Sequence, residues 1–192
     1  MPNETQSNYP TEELVRLAKE NHSNAIVQIV NRHKGMVFNL AYRILGNYHD
    51  AQEASQDTFV KAFRNINGFR ADCLFSSWLY KICYNTCITY KKRNLPAVEL
   101  NERIVHEKMQ PQQPVFLSEH SDRKIYLNQA LESLPSDDAV IVSLFYIEEM
   151  PTSEIASIVG LTETNVRVKL HRARKMLKEK LVHLLQHEAA NL

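Results

Sequence analysis

Glycine is scarce in this sequence, which has only four glycines in 192 residues and no long apolar run. Gly46, Gly68 and Gly160 fall where helical patterns break, which favours an all-helical chain. The scarcity also argues against a Gly-rich phosphate loop, and neither a zinc-protease motif nor a nucleophile elbow occurs. The sequence therefore does not indicate an enzyme.

Cysteine is equally sparse, and the three residues Cys73, Cys83 and Cys87 are odd in number. With no signal peptide or membrane-inserting segment before them, we expect a reduced, cytoplasmic protein. The three could indicate a zinc or redox site, but structural zinc needs about four ligands and no histidine lies between Cys73 and Cys87. His183 and His187 also lie one turn apart, near an end that we expect to fray. We therefore expect small core cysteines, and neither metal nor cofactor.

Lysine and arginine are absent from one long internal stretch. None occurs between Lys124 and Arg167, where seven acidic residues fall. The segment 162–181 then holds seven basic residues against two glutamates, a local charge of +5 in a chain whose net charge is +1. A focused cationic helix without an aromatic face indicates a polyanionic partner rather than a membrane surface.

The apolar periodicity predicts an all-α protein of two small helical domains joined by a flexible linker. We expect a disordered tail over 1–10, a helical domain over 11–94, a linker over 95–121 punctuated by three prolines, and a second helical domain over 122–192. In the first domain, Thr11 and Asp50 are predicted to cap helices. Two further helices are predicted over about 24–45 and 76–93. In the second domain, helical periodicity returns near residue 125, and Pro135 is predicted to open the next helix.

The segment MPTSEIASIVGLTETNVRVKLHRARKML has the arrangement of a helix-turn-helix. Thr152 or Ser153 is expected to cap its first helix, Gly160 to supply the positive φ that ends it, and Leu161 to fill the corner. Thr162 then caps a second helix whose exposed turns would meet base edges in a major groove. Alternatively, the segment is an ordinary helical hairpin with solvated cations. The predicted DNA-contacting residues are Thr164, Arg167, Val168, Lys169, His171, Arg172 and Lys175.

Two parts of the chain resemble a known family. DAQEASQDTFVKAFRNINGF and FSSWLYKICYNTCITYKKR resemble the promoter-binding second region of bacterial sigma factors of the extracytoplasmic-function (ECF) group. LESLPSDDAVIVSLFYIEEMPTSEIASIVGLTETNVRVKLHRARKML resembles the fourth region of that group. The resemblance implies a chain that binds core RNA polymerase, recognises the minus-thirty-five and minus-ten promoter elements and promotes DNA melting. The alternative is a two-domain helix-turn-helix regulator that acts on duplex DNA without core polymerase.

Melting requires a surface that holds unpaired bases beside cations for the phosphates. The resemblance places Asn85 and Thr89 where the group reads an extruded minus-ten base, with the loop from Phe69 to Phe75 walling the pocket. Alternatively, Asn85 is a satisfied amide within the bundle and the basic helix end is merely solvated. Trp78 is expected in the core. The predicted minus-ten residues are Phe69, Arg70, Phe75, Asn85, Thr89, Lys91, Lys92 and Arg93.

An exposed face of the third helix is expected to dock on core RNA polymerase, again by resemblance. The alternative is a solvated amphipathic surface. Promoter DNA is the second implied partner, and an anti-sigma factor is the third. Val168 stands where small polar or basic residues are common in the group, so minus-thirty-five specificity cannot be transferred. The predicted polymerase-binding residues are Glu53, Gln56, Asp57 and Lys61.

Overall fold

The computed structural model describes residues 9–94, 130–131 and 133–189, except for the side chains of 94 and 184–189. The predicted all-α class is confirmed for this part of the chain. The predicted linker over 95–121 lies outside it, as do residues 1–8 of the predicted tail and most of the helical pattern predicted from residue 125. The helices are α1 (Thr11–Lys19), α2 (Ser23–Leu45), α3 (Tyr48–Arg64), a short 3-10 helix (Ile66–Gly68), α4 (Phe75–Asn94), α5 (Ser136–Tyr146), α6 (Thr152–Val159) and α7 (Glu163–Ala189).

Helices α1 to α4 form a bundle in which α2, α3 and α4 pack pairwise and α1 lies against α2. Small alanines on α3 allow close approach of the neighbouring helices, and each larger apolar side chain contributes about 1.5–3 kcal/mol by leaving water. The predicted core position is confirmed for Cys83 and Cys87, which are fully buried, but it is wrong for Cys73, which is exposed in the loop before α4. Other fully buried side chains are Leu14, Ile29, Val37, Ala41, Ala51, Ala54 and Leu79.

Several predicted helix caps are wrong. Asn47, not Asp50, caps α3, because its side chain accepts hydrogen bonds from the backbone N–H groups of His49 at 2.8 Å and Asp50 at 3.1 Å. Asp50 falls inside the first turn, where a carboxylate still favours the positive end of the helix dipole. Helix α1 begins at Thr11, so Pro10 stands at its N-cap position. No side chain caps this helix, and the predicted Thr11 cap is wrong.

Helices α5, α6 and α7 form a second packed unit. Its centre is α5, where six consecutive residues, 139–144, are buried. A helix buried on several sides shows no polar stripe over its buried part, which explains the continuous apolar run from Ala139 to Val142. Helix α7 supplies Val166, Leu170 and Ala173, each at most 3% exposed, to this core. The cationic helix is therefore anchored by one apolar stripe and leaves its other faces to solvent.

The corner between α6 and α7 follows the predicted helix-turn-helix. Gly160 adopts φ 71°, and its N–H donates to Ala156 O at 3.0 Å. Leu161 packs against the core, and the Thr162 hydroxyl accepts from the N–H of Asn165 at 3.2 Å, as a capping residue does. The cap predicted for α6 is wrong, because Pro151 precedes that helix and the Thr152 hydroxyl instead donates to Glu163 Oε1 at 2.7 Å. That bond joins the two helices of the motif.

The two units touch, with α4 against α6 and α2 against α5. Tyr80 of α4 is buried to 2% exposure, and burial followed by the nearby Glu148 carboxylate raises its pKa strongly. Lys81 Nζ donates to Ser157 Oγ at 3.3 Å, and Lys91 Nζ donates to Ser136 Oγ at 2.9 Å. One side of α4 therefore faces the second unit and another faces the first bundle.

Candidate nucleic-acid interfaces

The exposed surface of α7 carries most of the predicted recognition residues. Among the residues that the structure describes, His171, Arg172 and Lys175 are exposed and have no hydrogen-bonding or ionic partner. Thr164 and Arg167 are exposed as well, and Val168 is 43% exposed. A helix held by its apolar stripe thus presents polar, cationic and methyl groups together, the combination that meets base edges and phosphates in a major groove.

Two cations of this surface are paired. Arg167 bonds Glu163 Oε1 at 2.5 Å on the exposed first turn. The hydrogen bond from Thr152 and then the one from Arg167 lower the pKa of Glu163, so this carboxylate stays ionised. Lys169 is half-buried, and its Nζ lies 2.7 Å from Asp138 Oδ1 at the start of α5. Lys169 is therefore less available to a phosphate than its position in the sequence indicates.

Arg174 points away from the recognition surface. It bonds the Tyr146 hydroxyl, and its guanidinium lies 5.7 Å from the Phe145 ring centre and 5.5 Å from that of Tyr146. These contacts join α7 to the end of α5 by cation–π attraction. Arg174 is therefore a packing residue of the second unit.

A second polar surface follows the exposed side of α4. Asn85, Thr89, Lys92 and Arg93 are all exposed, whereas Lys91 is half-buried and bonded to Ser136. The Thr89 hydroxyl donates to Asn85 O at 2.9 Å. The Asn85 side-chain amide makes no hydrogen bond with any described residue. The alternative in which Asn85 is a satisfied bundle amide therefore does not fit its position.

The loop over 69–75, which precedes α4, rests on an aromatic cluster. Phe69 and Phe75 are 7% and 5% exposed. The Phe69 ring lies 5.5 Å from that of Phe75 and 5.3 Å from that of Trp78, and the rings of Phe75 and Trp78 are 5.6 Å apart. The predicted core position of Trp78 is thus supported, and the two phenylalanines form the base of the loop. Its exposed side chains include Arg70 and Leu74, the latter 65% exposed.

His33 borders this cluster from α2. Its ring centre lies 5.6 Å from that of Phe75, and its Nε2 is buried without a hydrogen-bond partner in the described part of the chain. Burial, and then the neighbouring charge of Arg32, lower the pKa of His33. The imidazole therefore remains neutral under the aromatic cluster at neutral pH.

Sequence reasoning missed Lys19, which reaches the loop from α1. Its Nζ donates to Phe69 O at 2.8 Å and lies 5.9 Å from the centre of the Phe69 ring. A basic residue in the last turn of α1 is visible in the sequence, but its partner lies 50 positions later. No local pattern identifies such a pair.

The face of α3 predicted to be exposed is only partly so. Glu53 and Gln56 are exposed, but Asp57 and Lys61 are half-buried. Asp57 Oδ2 accepts from the Tyr90 hydroxyl at 2.9 Å, and Lys61 Nζ donates to Thr86 Oγ1 at 3.2 Å. Burial, and then the bond to Asp57, raise the pKa of Tyr90 to about 12. Asp57 and Lys61 thus hold α3 against α4, because their side chains span the groove between the helices.

Two other kinds of site are absent from the described residues. No group of three or more histidine, cysteine, aspartate or glutamate side chains is placed to hold a metal ion. Within the same residues, no helix combines the length and the apolar character needed to cross a bilayer.

These features define a helical DNA-binding protein with a helix-turn-helix and a second polar surface near an aromatic-based loop. Residues 29–95 match the family model for Sigma-70 region 2, and residues 124–177 match the model for Sigma-70, region 4. Together the two matches cover more than half of the chain. The chain belongs to the sigma-70 family of RNA polymerase sigma factors, within its ECF group.

Curated relatives and solved structures agree with this assignment. The chain is 28% identical over 179 residues to ECF RNA polymerase sigma factor SigW of Bacillus subtilis, covering 87% of this chain and 94% of SigW. It is 32% identical over 161 residues to ECF RNA polymerase sigma factor SigE of Mycolicibacterium smegmatis, covering 80% of this chain and 60% of SigE. The solved structure of CnrH in complex with the cytosolic domain of CnrY matches with a TM-score of 0.58 at 25% identity, covering 92% of this chain and 97% of the solved one. The sigma factor RpoE of Bartonella quintana, solved with the anti-sigma factor NepR, shares the fold with a TM-score of 0.59 at 17% identity, covering 80% of this chain and 94% of RpoE.

Proposed function

We propose that this sigma factor binds core RNA polymerase, reads the minus-thirty-five element with α7, and captures an unpaired minus-ten base with α4. The observation that carries the proposal is the amide of Asn85. It is exposed, has no partner among the described residues, and stands near the cations Lys92 and Arg93 on one helix. A group that bonds nothing in the described part of the chain is available to bond a base.

The minus-thirty-five role follows from the chemistry of α7. Arg172 can bond the O6 and N7 of guanine in bidentate fashion, whereas Lys175 acts as a point charge toward phosphate. Val168 offers methyl groups that suit a thymine methyl, so its departure from the group's usual residue favours a different base preference. Thr164, Arg167, Lys169 and His171 complete the proposed surface.

The minus-ten role divides between α4 and the loop over 69–75. An extruded base exposes its Watson–Crick edge, which an amide can read by donating and accepting at once. Thr89 lies one turn from Asn85, and Lys92 and Arg93 lie beyond it for the phosphates. Phe69 and Phe75 support the loop from beneath, and Arg70 and Lys91 complete the proposed set.

The polymerase-binding role falls on α3. Glu53 and Gln56 are exposed and available to a partner, so we assign the direct contact to them. We assign Asp57 and Lys61 to holding α3 in place through Tyr90 and Thr86. Partner binding at this face would then depend on both the exposed pair and the groove beneath it.

We also propose an anti-sigma factor as a protein partner, supported by two matching structures solved as complexes, CnrH with the cytosolic domain of CnrY and RpoE with the anti-sigma factor NepR. We place the protein in the cytoplasm, because core polymerase and the chromosome are there. We assign no catalytic step to this chain. Melting would instead draw on the free energy of binding the unpaired strand.

The proposal is tested by opening of a promoter in the presence of core polymerase. Asn85→Ala should leave assembly with core polymerase unchanged but reduce permanganate reactivity of unpaired minus-ten thymines. A template already mismatched across the minus-ten element should recover part of the loss, because flipping a base costs a few kcal/mol. Lys92→Ala should weaken both templates, since a phosphate contact serves closed and open states alike.

Asn24→Ala is the matched control, because Asn24 is an exposed amide in the first turn of α2, outside the proposed minus-ten surface. Normal opening by Asn85→Ala at every single-base variant of the minus-ten element would remove Asn85 from the site. A pull-down with core polymerase tests the class itself. Failure to bind, together with selective nanomolar binding of duplex promoter by the isolated chain, would favour a regulator that acts without polymerase.

A further inference from the structure

The loop over 69–75 has little support of its own. In the part of the chain that the structure describes, residues 70–73 make no backbone–backbone hydrogen bond outside helices. The last bond before them runs from Phe69 N–H to Ile66 O at 3.1 Å, and the next runs from Trp78 N–H to Leu74 O at 3.1 Å. Ala71 adopts φ 59°, a conformation unusual for a residue with a Cβ. The backbone of the loop is therefore held chiefly at its two ends.

Its second end is held by Phe75, which is buried in the aromatic cluster. Its first end is held by Lys19, which bonds the Phe69 carbonyl at 2.8 Å and lies near the face of the Phe69 ring. A charged donor forms a stronger hydrogen bond than a neutral one, and the half-buried position of Lys19 reduces screening. Lys19 thus contacts both the backbone carbonyl and the ring of Phe69, and adds to the hold of the aromatic cluster on that residue.

Helix α1 is a firm base for this contact. Leu14, Val15 and Ala18 are at most 4% exposed, and α1 packs both on α2 and on the 3-10 helix that leads to Phe69. At its other end, Arg32 of α2 donates to Tyr9 O at 2.7 Å. The Lys19 ammonium therefore bonds the start of the loop to a helix whose own position is fixed by packing.

We propose that Lys19 is a positioning residue for the minus-ten surface, which keeps the loop over 69–75 in the conformation that receives the unpaired strand. The inference rests on the proposed role of that loop in melting. Lys19 itself acts through Phe69 and touches no base. Without the Lys19 ammonium, the loop should leave Phe69 in several different directions. Fewer molecules would then present Arg70 and the pocket correctly at any moment.

The single tryptophan of the chain reports on this arrangement without any label. Trp78 lies 5.3 Å from the Phe69 ring and 5.6 Å from the Phe75 ring, so its emission senses how tightly the cluster is packed. Lys19→Met, which keeps the apolar stem and removes the ammonium, should shift Trp78 emission to longer wavelength and increase acrylamide quenching. Lys19→Arg should keep the native spectrum, and Lys19→Gln should fall between the two.

Arg16→Met is the matched control, because Arg16 lies one turn earlier on α1 and pairs with Glu13 and Glu20 of the same segment. It should leave Trp78 emission and promoter opening unchanged. Circular dichroism below the unfolding transition would establish that each variant is folded. If Lys19→Met fails to fold, the comparison of Lys19→Gln with Lys19→Arg carries the test.

The functional measurement is the rate of promoter opening by each variant assembled with core polymerase. Lys19→Met should open ordinary duplex about tenfold more slowly, the change expected for one lost charged hydrogen bond. Lys19→Arg should restore the rate, and polymerase affinity should be unchanged. Unaltered Trp78 emission, or altered emission with a normal opening rate, would overturn the inference. If Asn85→Ala also opens normally, the proposed minus-ten surface fails as well, so the two failures are distinguishable.

Discussion

Release of Lys169 from Asp138 should strengthen DNA binding. Asp138→Asn removes the carboxylate that lies 2.7 Å from Lys169 Nζ but keeps the size of the side chain. The ammonium would then be free to reach a phosphate beside α7. We therefore expect a substitution outside the recognition helix to raise its affinity for promoter DNA.

The size of the effect follows from counterion release. Each phosphate contact changes the slope of log affinity against log salt concentration by about −0.9 for duplex DNA. With one additional contact, the total fall in affinity between 50 and 200 mM salt would be larger by a factor of about 3.5. The folded state should lose on the order of 1 kcal/mol, because the pair is partly solvated and Asp138 also lies in the first turn of α5.

Fluorescence anisotropy of a labelled minus-thirty-five duplex with the reconstituted polymerase complex, over a salt series, measures this slope. Asp137→Asn is the matched control, because Asp137 is exposed in the same turn and loses the same charge without releasing Lys169. Equal slopes for the two variants would show that general charge, not Lys169, is responsible. A weaker Asp138→Asn complex at low salt would refute the reasoning, since it would mean that the pair positions α7.

Two further predictions concern α7 and the aromatic cluster. Arg172→Ala should lose about 1–3 kcal/mol and relax selectivity at one minus-thirty-five position, whereas Lys175→Ala should weaken all promoters equally. Identical base-substitution profiles for the two variants would remove Arg172 from base reading. His33 has a lowered pKa in the folded chain, so stability should fall as pH drops below its ordinary value of about 6.5. The urea midpoints of unfolding at pH 7.5 and 5.5 should differ less for His33→Gln than for the unsubstituted protein. For His22→Gln they should differ as much as for the unsubstituted protein, because His22 is exposed.

Local signals made the helix-turn-helix predictable. Gly160 and Thr162 act through their own backbone and through residues at most four positions away, so the pattern of residues specifies their conformation. Asn47 was missed for a related reason. Asn and Asp are both good N-caps, and only the path of the chain decides which of two nearby candidates stands in the extended position before the helix.

Contacts between distant segments were not predictable in this way. The sequence predicts one exposed face on α3, yet Asp57 and Lys61 bond residues of α4 that are 33 and 25 positions away. Both long side chains lie at the edge of the helix–helix groove, where a small rotation of α3 decides between solvent and a partner. The same holds for Asp138 and Lys169, which lie 31 positions apart. Periodicity specifies a face of a helix but not the neighbour that meets its edge.

The division of α4 among three surroundings has a consequence for how promoter preference can change. Leu79 and Cys83 face the first bundle, Tyr80 faces the second unit, and Asn85 and Thr89 face solvent. At 3.6 residues per turn, each surrounding receives about one position in every turn. Substitutions on the solvent side therefore need not disturb either packed side. Under the proposed function, variants with altered minus-ten preference can arise one residue at a time on a helix whose frame stays fixed, and duplicated copies of such a gene can diverge in the promoters they use without first losing the ability to fold.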